Sequence, residues 1–435
     1  MFLKIQCFKQ NAWFFLRFRL ERASSLQVLA DVWVSVFLKK IYLQLAFNCT
    51  SDEISMRNFG LFLAAILVVS AVVLPLAYFS ASYQGKDPSG GEFFFGVTYG
   101  QDTVEGAKLL IDKVQNYTNV FVVDSSPISH NETALNAVCS YAAEKNLHFI
   151  VYFFSVQSNL WQQDWVTAAK QTWGDKFLGV YLRDEPGGRQ IELAETVGVG
   201  NASSPSEAVN KYVYTLSSNE TSMKILKDRQ IPVVTSDFAL YWYDYQAGFD
   251  VVFAQLGWNN SRAQEIALCR GAATMQEKDW GTIITWTYQH PPYMENGTEA
   301  YKDMVTSYEA GAKYILVFNY PRFPDTNQYG ILFAEHFSAM QQFWDYVKAH
   351  PRNSVESKGE VALVLPKDHG GSLRSLDDKI WGLWPADNAS ALIFDKVKAF
   401  VSKYGLKLDI IYDVETADIT ETYSQVYFWN QTNLP

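Results

Sequence analysis

Residues 93–124 read FFFGVTYGQDTVEGAKLLIDKVQNYTNVFVVD: an apolar run, a helix-length stretch, and a second apolar run. The runs Phe93–Tyr99 and Asn119–Asp124 are short and rich in aromatic and β-branched residues, as buried strands are. Between them, Glu105–Gln115 repeats its apolar positions every three or four residues, the period of a helix with one buried face. A strand, a helix and a strand in this order make one unit of a parallel sheet.

The unit recurs along the chain. Further strand-like runs lie at Phe149–Val156, Leu178–Arg183, Pro232–Asp237, Asp250–Leu256, Thr282–Thr287 and Tyr314–Asn319, which brings the total to eight. Helical stretches such as Glu132–Lys145, Ser261–Gln276 and Glu299–Gly311 fall between them. Eight strands over this length predict a (β/α)8 barrel spanning 93–350. The fifth and sixth strands leave only Phe238–Phe249 between them, room for a short helix. The fourth-to-fifth connection is long and carries Gly198, Gly200 and Ser203–Pro205, which predicts an excursion over one face. From Gly359 to Glu415 a strand, a helix and a strand follow, and we assign 351–435 to a small α/β domain.

At 48% hydrophobic and 19% charged residues, the chain can bury a full domain core and a smaller second one. Its formal charge of −10 argues against nucleic acid as a partner, because phosphate backbones require clustered Lys and Arg. Six histidines show no metal-ligand spacing, and no glycine-rich phosphate loop or dinucleotide fingerprint is present, so neither a metal nor a cofactor is predicted. Cys7, Cys49, Cys139 and Cys269 form no pairing pattern. Cys139 and Cys269 fall in predicted helices and read as buried thiols.

Residues 59–79 read FGLFLAAILVVSAVVLPLAYF, 21 apolar residues, enough to cross a bilayer as a helix. Arg57 precedes this run and Lys86 is the next basic residue, so the N-terminus is expected inside the cell and the barrel outside. The segment 56–82 is thus expected to be a signal-anchor, with cleavage near Ser80 and Ala81 as the alternative and 83–92 as a linker. Residues 1–55 lack a clean period and precede Met56-Arg57, which reads as a natural start, so this extension is expected to be an upstream mistranslation. Export agrees with nine Asn-x-Ser/Thr sequons, at Asn48, Asn116, Asn131, Asn201, Asn219, Asn259, Asn296, Asn388 and Asn430. Chance would place roughly three.

In a (β/α)8 barrel the chemistry sits where strands end at their C-terminal side. The residues there are Tyr99, Asp124, Arg183, Asp184, Glu185, Asp237, Gln255, Trp258, Trp286, Tyr288, His290, Asn319 and Tyr320. Residues 178–188, LGVYLRDEPGG, resemble the fourth strand of clan A glycoside hydrolases, where Asn-Glu-Pro supplies the acid/base glutamate. Asp184 stands in place of the Asn, while Glu185 and Pro186 match. The resemblance implies a barrel that hydrolyses glycosidic bonds with Glu185 as the acid/base. The C-terminal stretch is similar to part of the flavodoxin-like domain that follows the barrel in some family 42 β-galactosidases. The pattern breaks at strand seven, where clan A carries a nucleophilic Glu and this chain has no carboxylate until Glu295.

Glycosidic cleavage needs a second carboxylate, and Asp237, Asp124 or Asp244 is the candidate. Strand parity predicts Arg183 beneath Glu185, a neighbour that would favour the ionised form and oppose an acid role. Trp258, Trp286, Tyr288, Tyr320 and Tyr99 are candidate faces for sugar rings, with Asn319, Gln255, Arg183 and Asp184 as polar partners. The loop Pro366–Gly371 ends a predicted strand, where ligands often bind, and Trp381 and Trp384 are expected to pack the small domain onto the barrel. The expected function is an extracellular carbohydrate-active enzyme acting on an oligo- or polysaccharide. The alternative is a non-catalytic, membrane-anchored glycan-binding or cell-envelope protein.

Overall fold

The computed structural model describes residues 92–218, 221–320, 327–352, 359–414 and 419–431. The predicted membrane-spanning run and the extension before it lie outside them. Among the described residues no helix is long and apolar enough to cross a membrane.

Eight parallel strands close into a barrel in chain order: β1 (Phe94–Tyr99), β2 (Val120–Val123), β3 (His148–Phe153), β4 (Phe177–Leu182), β5 (Val233–Asp237), β6 (Val251–Leu256), β7 (Asp279–Ile284) and β8 (Tyr314–Val317). The β1–β8 pairing, with Phe94 opposite Tyr314, closes the ring. This is a (β/α)8 barrel. The strand predicted at Thr282–Thr287 begins three residues earlier. Asp279-Trp280-Gly281 looks like a turn by composition, but these residues pair with Val251, Val252 and Phe253 of β6.

Alternate residues divide the strands between two cores. Phe94, Val120, Val122, Ile150, Tyr181, Val234, Phe253, Ile283 and Leu316 fill the barrel interior. Phe95, Val97, Phe121, Val123, Phe149, Val233, Val252 and Ile315 face outward under the helical layer. The fifth-to-sixth connection holds a helix of six residues, Tyr241–Gln246. The fourth-to-fifth connection carries the helices Pro186–Leu193, Pro205–Ser217 and Ser222–Asp228. Cys139 and Cys269 are buried free thiols, and burial pushes both well up.

A second sheet of three parallel strands, β9 (Val361–Leu365), β10 (Leu408–Tyr412) and β11 (Gln425–Phe428), has the order β10-β9-β11. Gly271 on the barrel helix Arg262–Met275 lies against β10, where an added Cβ would come 2.6 Å from the Ile410 carbonyl oxygen. The loop after β9 folds over the fourth and fifth barrel connections. Trp381 is fully buried there against Tyr212 and Tyr243, and its indole donates to the Asp368 carbonyl at 2.9 Å. The Trp381 ring thus lies against Gly370 of the Pro366–Gly371 loop, and Trp381 packs as expected.

Candidate active site

The site begins where β4 stops. Arg183 and Glu185 both adopt left-handed backbone conformations, with φ of 59° and 55°. Such angles are disfavoured for side chains with a Cβ. They are held by hydrogen bonds to neighbouring strands, from Arg183 N to the Phe153 carbonyl and from Glu185 N to the Ser236 carbonyl. The double turn ends strand parity, so Arg183 does not lie beneath Glu185 as predicted. Its guanidinium is exposed and sits 5.9 Å from the Phe154 ring centre, outside the cluster described below.

Glu185 also heads the helix Pro186–Leu193, yet its carboxyl does not cap it. That task falls to Asp237, which reaches from β5 to accept from Gly187 N at 2.5 Å and Gly188 N at 2.8 Å. Phe238 N and Ala239 N also donate to Asp237. With both oxygens occupied by backbone donors and no exposure, Asp237 cannot reach a substrate, which corrects its assignment as the second carboxylate. Burial pushes it up to about 7 against those four bonds. Asp244 beside it is raised well above the ordinary carboxylate range by burial and by Asp237. The four N–H donors favour charge on Asp237 and leave the shared proton on Asp244. Asp244 is wholly buried, bonded to the Tyr212 hydroxyl, and likewise belongs to the scaffold.

Freed from capping, the Glu185 carboxyl accepts from Gln255 Nε2 at 2.8 Å. The second Nε2 proton goes to Ser236 Oγ at 3.0 Å, which fixes the amide. Ser236 Oγ in turn donates to Asp184 at 2.8 Å, and the Tyr181 hydroxyl donates to the same carboxylate oxygen at 2.5 Å. Asp124, from the end of β2, is 8% exposed and makes no side-chain hydrogen bond among the described residues. Three carboxyls thus meet inside the barrel mouth.

Their electrostatics follow from burial, with no cation bonded to them among the described residues. Burial, then the charge of Asp184, raises Glu185 to about 7, with smaller contributions from Asp237 and Glu192; the Gln255 bond opposes this. Asp184 is raised by burial against the two hydroxyl donors and Arg189. Burial and Asp184 push Asp124 well up. Arg189 is engaged by Glu195 at 2.6 Å, and no Lys or Arg among the described residues bonds to any of the three carboxyls.

Across the mouth, the ends of β6, β7 and β8 carry a chain of rings. Trp258 meets Trp286 at 6.4 Å, Trp286 meets Phe318 at 5.8 Å, and Phe318 stacks on Tyr320 at 6.1 Å. Trp258 and Tyr320 are the exposed members, at 37% and 39%. Tyr320 lies over Gly100, where any Cβ would strike the ring. Tyr152, at the end of β3, meets Tyr181 edge-on at 5.3 Å, and burial with Asp184 and Asp124 pushes its hydroxyl up.

Of the residues singled out by sequence, Asp124, Asp184, Glu185 and Gln255 form the acid side, and Trp258, Trp286 and Tyr320 the aromatic side. Tyr288 and His290 are exposed on the loop after β7. Tyr99 is misassigned, because it points outward into the helical layer and donates to the Thr103 carbonyl at 2.8 Å. Asn319 is misassigned too. It is fully buried, donates to the Tyr329 carbonyl and accepts from Ile331 N, so it organises its own loop. Sequence reasoning missed Tyr152, Tyr181, Ser236 and Phe318. Counting alternate positions from the interior residues Ile150, Val234 and Leu316 reaches three of them.

No family model matches the chain by its sequence, and no curated protein matches it, so the resemblance to clan A rests on the short motif at Asp184–Pro186 and membership of family 42 is not confirmed. Solved structures that align with it include a GH10 protein from Paenibacillus barcinonensis, at 8% identity over 53% of this chain and 84% of that one, with a TM-score of 0.35. ScGas2 aligns at 13% identity over 61% and 65% of the two chains, with a TM-score of 0.36. 3-Hexulose-6-phosphate synthase from Salmonella typhimurium aligns at 11% identity over 59% and 100%, with a TM-score of 0.33. These alignments carry nothing about chemistry, and the fold stands on the strand order itself.

Proposed function

We propose that the chain is a carbohydrate-active enzyme that hydrolyses glycosidic bonds, with Glu185 as general acid/base. The observation that carries this reading is the Glu185 carboxyl itself. It is raised to about 7, held by an amide from β6 rather than by an arginine, and set in a barrel mouth opposite exposed aromatic rings. A carboxyl with that pKa keeps its proton near neutrality and can pass it to a departing glycosidic oxygen. The second carboxylate comes from the Asp124–Asp184 pair. Asp184 pushes Asp124 further up, while the Tyr181 and Ser236 hydroxyls favour charge on Asp184, and that charge can support an oxocarbenium-like transition state. Asp184 is tied to Tyr181 and Ser236, so Asp124 is the member with no side-chain hydrogen bond to give up on meeting substrate. Trp258 and Tyr320 offer faces for sugar rings.

One observation favours a glycan-binding protein without catalysis: β7 runs into Thr285-Trp286-Thr287, with no carboxylate where a retaining clan A enzyme has its nucleophile. Release of reducing ends from a broad panel of oligosaccharides separates the two readings. The wild type should cleave at least one substrate, and Glu185→Gln should lower kcat by about 10²–10⁴-fold while binding holds. Binding without cleavage across the panel would favour the non-catalytic reading.

We place this activity outside the cell, behind a single membrane anchor at 59–79. All seven described sequon asparagines, Asn116, Asn131, Asn201, Asn259, Asn296, Asn388 and Asn430, are exposed, which supports a glycosylated surface. Mass spectrometry of peptides from the native protein should find glycans on several of them; unmodified peptides at all seven would count against export.

A further inference from the structure

The mouth is rich in acceptors, and among the described residues no Lys or Arg bonds to its carboxyls. Gln255 is 5% exposed and spends both amide protons on Glu185 and Ser236, which leaves its Oε1 buried without a donor among the described residues. Asp124 is 8% exposed, and its carboxyl has no side-chain partner among the described residues. A buried acceptor without a donor is costly, so the site is completed by a ligand that brings donors. Hydroxyls alone would serve Gln255. They would not offset the charge of the Asp124–Asp184 pair, to which no basic side chain among the described residues is bonded.

We infer that the glycan taken by this mouth carries free amino groups, and that a sugar ammonium sits between Asp124 and Asp184 within reach of the Tyr320 ring. The inference rests on reading the mouth as a glycan site and adds the substrate class. An ammonium supplies three donors and a positive charge in one group. The carboxyl pair offers the counter-charge, and the faces of Tyr320 and Trp258 attract cations as well as sugar rings. A glycan of neutral or N-acetylated units would leave the charge uncompensated. A phosphorylated one would be repelled.

The test uses the full chain with Glu185→Gln, to prevent turnover, and three probes: a chitosan tetrasaccharide of glucosamine units, the corresponding N-acetylglucosamine tetrasaccharide, and cellotetraose. By calorimetry the glucosamine tetrasaccharide should bind at least about tenfold more tightly than either of the others, as one partly desolvated charge pair would give. Adding Asp124→Asn should erase that preference, bringing the glucosamine tetrasaccharide down to the affinity of cellotetraose. Should the double variant fail to fold, salt titration of Glu185→Gln alone serves. Affinity for the glucosamine probe should then fall with ionic strength while that for cellotetraose does not. Equal or weaker binding of the glucosamine probe, or no binding by any of the three, overturns the inference. Cleavage of neutral glycans only would overturn it while preserving the glycosidase reading. Tight, salt-sensitive binding of the glucosamine probe without cleavage by the wild type would preserve it and remove catalysis instead.

Discussion

Glu185 heads a helix in a left-handed conformation, yet its side chain is spared the work of capping because Asp237 performs it from the next strand. The same arrangement leaves the carboxyl in a buried, cation-free setting, and burial followed by Asp184 lifts it from 4.5 to about 7. The folded chain therefore holds this proton more tightly than the unfolded chain. The stability tied to it is fully present below the unfolded value and is lost as pH rises through about 7. Glutamine does not titrate. Glu185→Gln should exceed the wild type in stability by on the order of 2–3 kcal/mol near pH 8, and the gap should close below about pH 5. Urea unfolding at several pH values measures this; a gap that ignores pH would contradict the cause assigned to the shift.

Among the elements, the fourth strand and the helix after it meet the fifth strand more closely than side chains would permit. A Cβ on Gly187 would lie 2.5 Å from the Ala239 carbonyl oxygen, and one on Gly188 would enter the Phe238 ring. The two glycines of Asp-Glu-Pro-Gly-Gly thus bring the helix N-terminus onto Asp237. Gly187→Ala must push backbone against backbone and strain the Gly187–Asp237 bond. It should cost about 1–3 kcal/mol. Activity should fall with it, because Glu185 leads the same turn. Melting and turnover on one preparation check this, and unchanged values for both would refute the close-approach account.

At this scale the sequence was readable in one respect and misleading in another. The eight strands were legible because fully buried parallel strands are short, apolar and separated by helical periods. Which strand-end residues enter the mouth was not, because strand ends alternate between two faces. Thr98, Ser236 and Phe318 lie on the inner face, and their neighbours Tyr99, Asp237 and Asn319 on the outer. In each pair the outward residue carries the more reactive-looking side chain. Anchoring the count on an interior residue such as Val234 would have selected Ser236. The turn at Arg183 was beyond any such count, since two successive departures from strand geometry leave no periodic trace.

Across the whole molecule, the second sheet is tied to the barrel by a buried ion pair. Arg270, on the helix Arg262–Met275, donates from Nε to Asp409 of β10 at 2.7 Å and reaches the Leu406 and Leu408 carbonyl oxygens. Tyr423 donates to the same carboxylate. Nearer the site, Gln190 on the helix headed by Glu185 donates to the Trp381 carbonyl, so the loop after β9 braces that helix from outside. The small sheet thus buttresses the acid side of the mouth. All of this serves one carboxyl that keeps its proton near neutral pH. The pH dependence of kcat/KM for glycan hydrolysis tests that claim most directly. The account predicts a profile that falls as pH rises through about 7, and a residual activity in Glu185→Gln without that fall. A basic limb that survives the substitution, or a variant as active as the wild type, would contradict it.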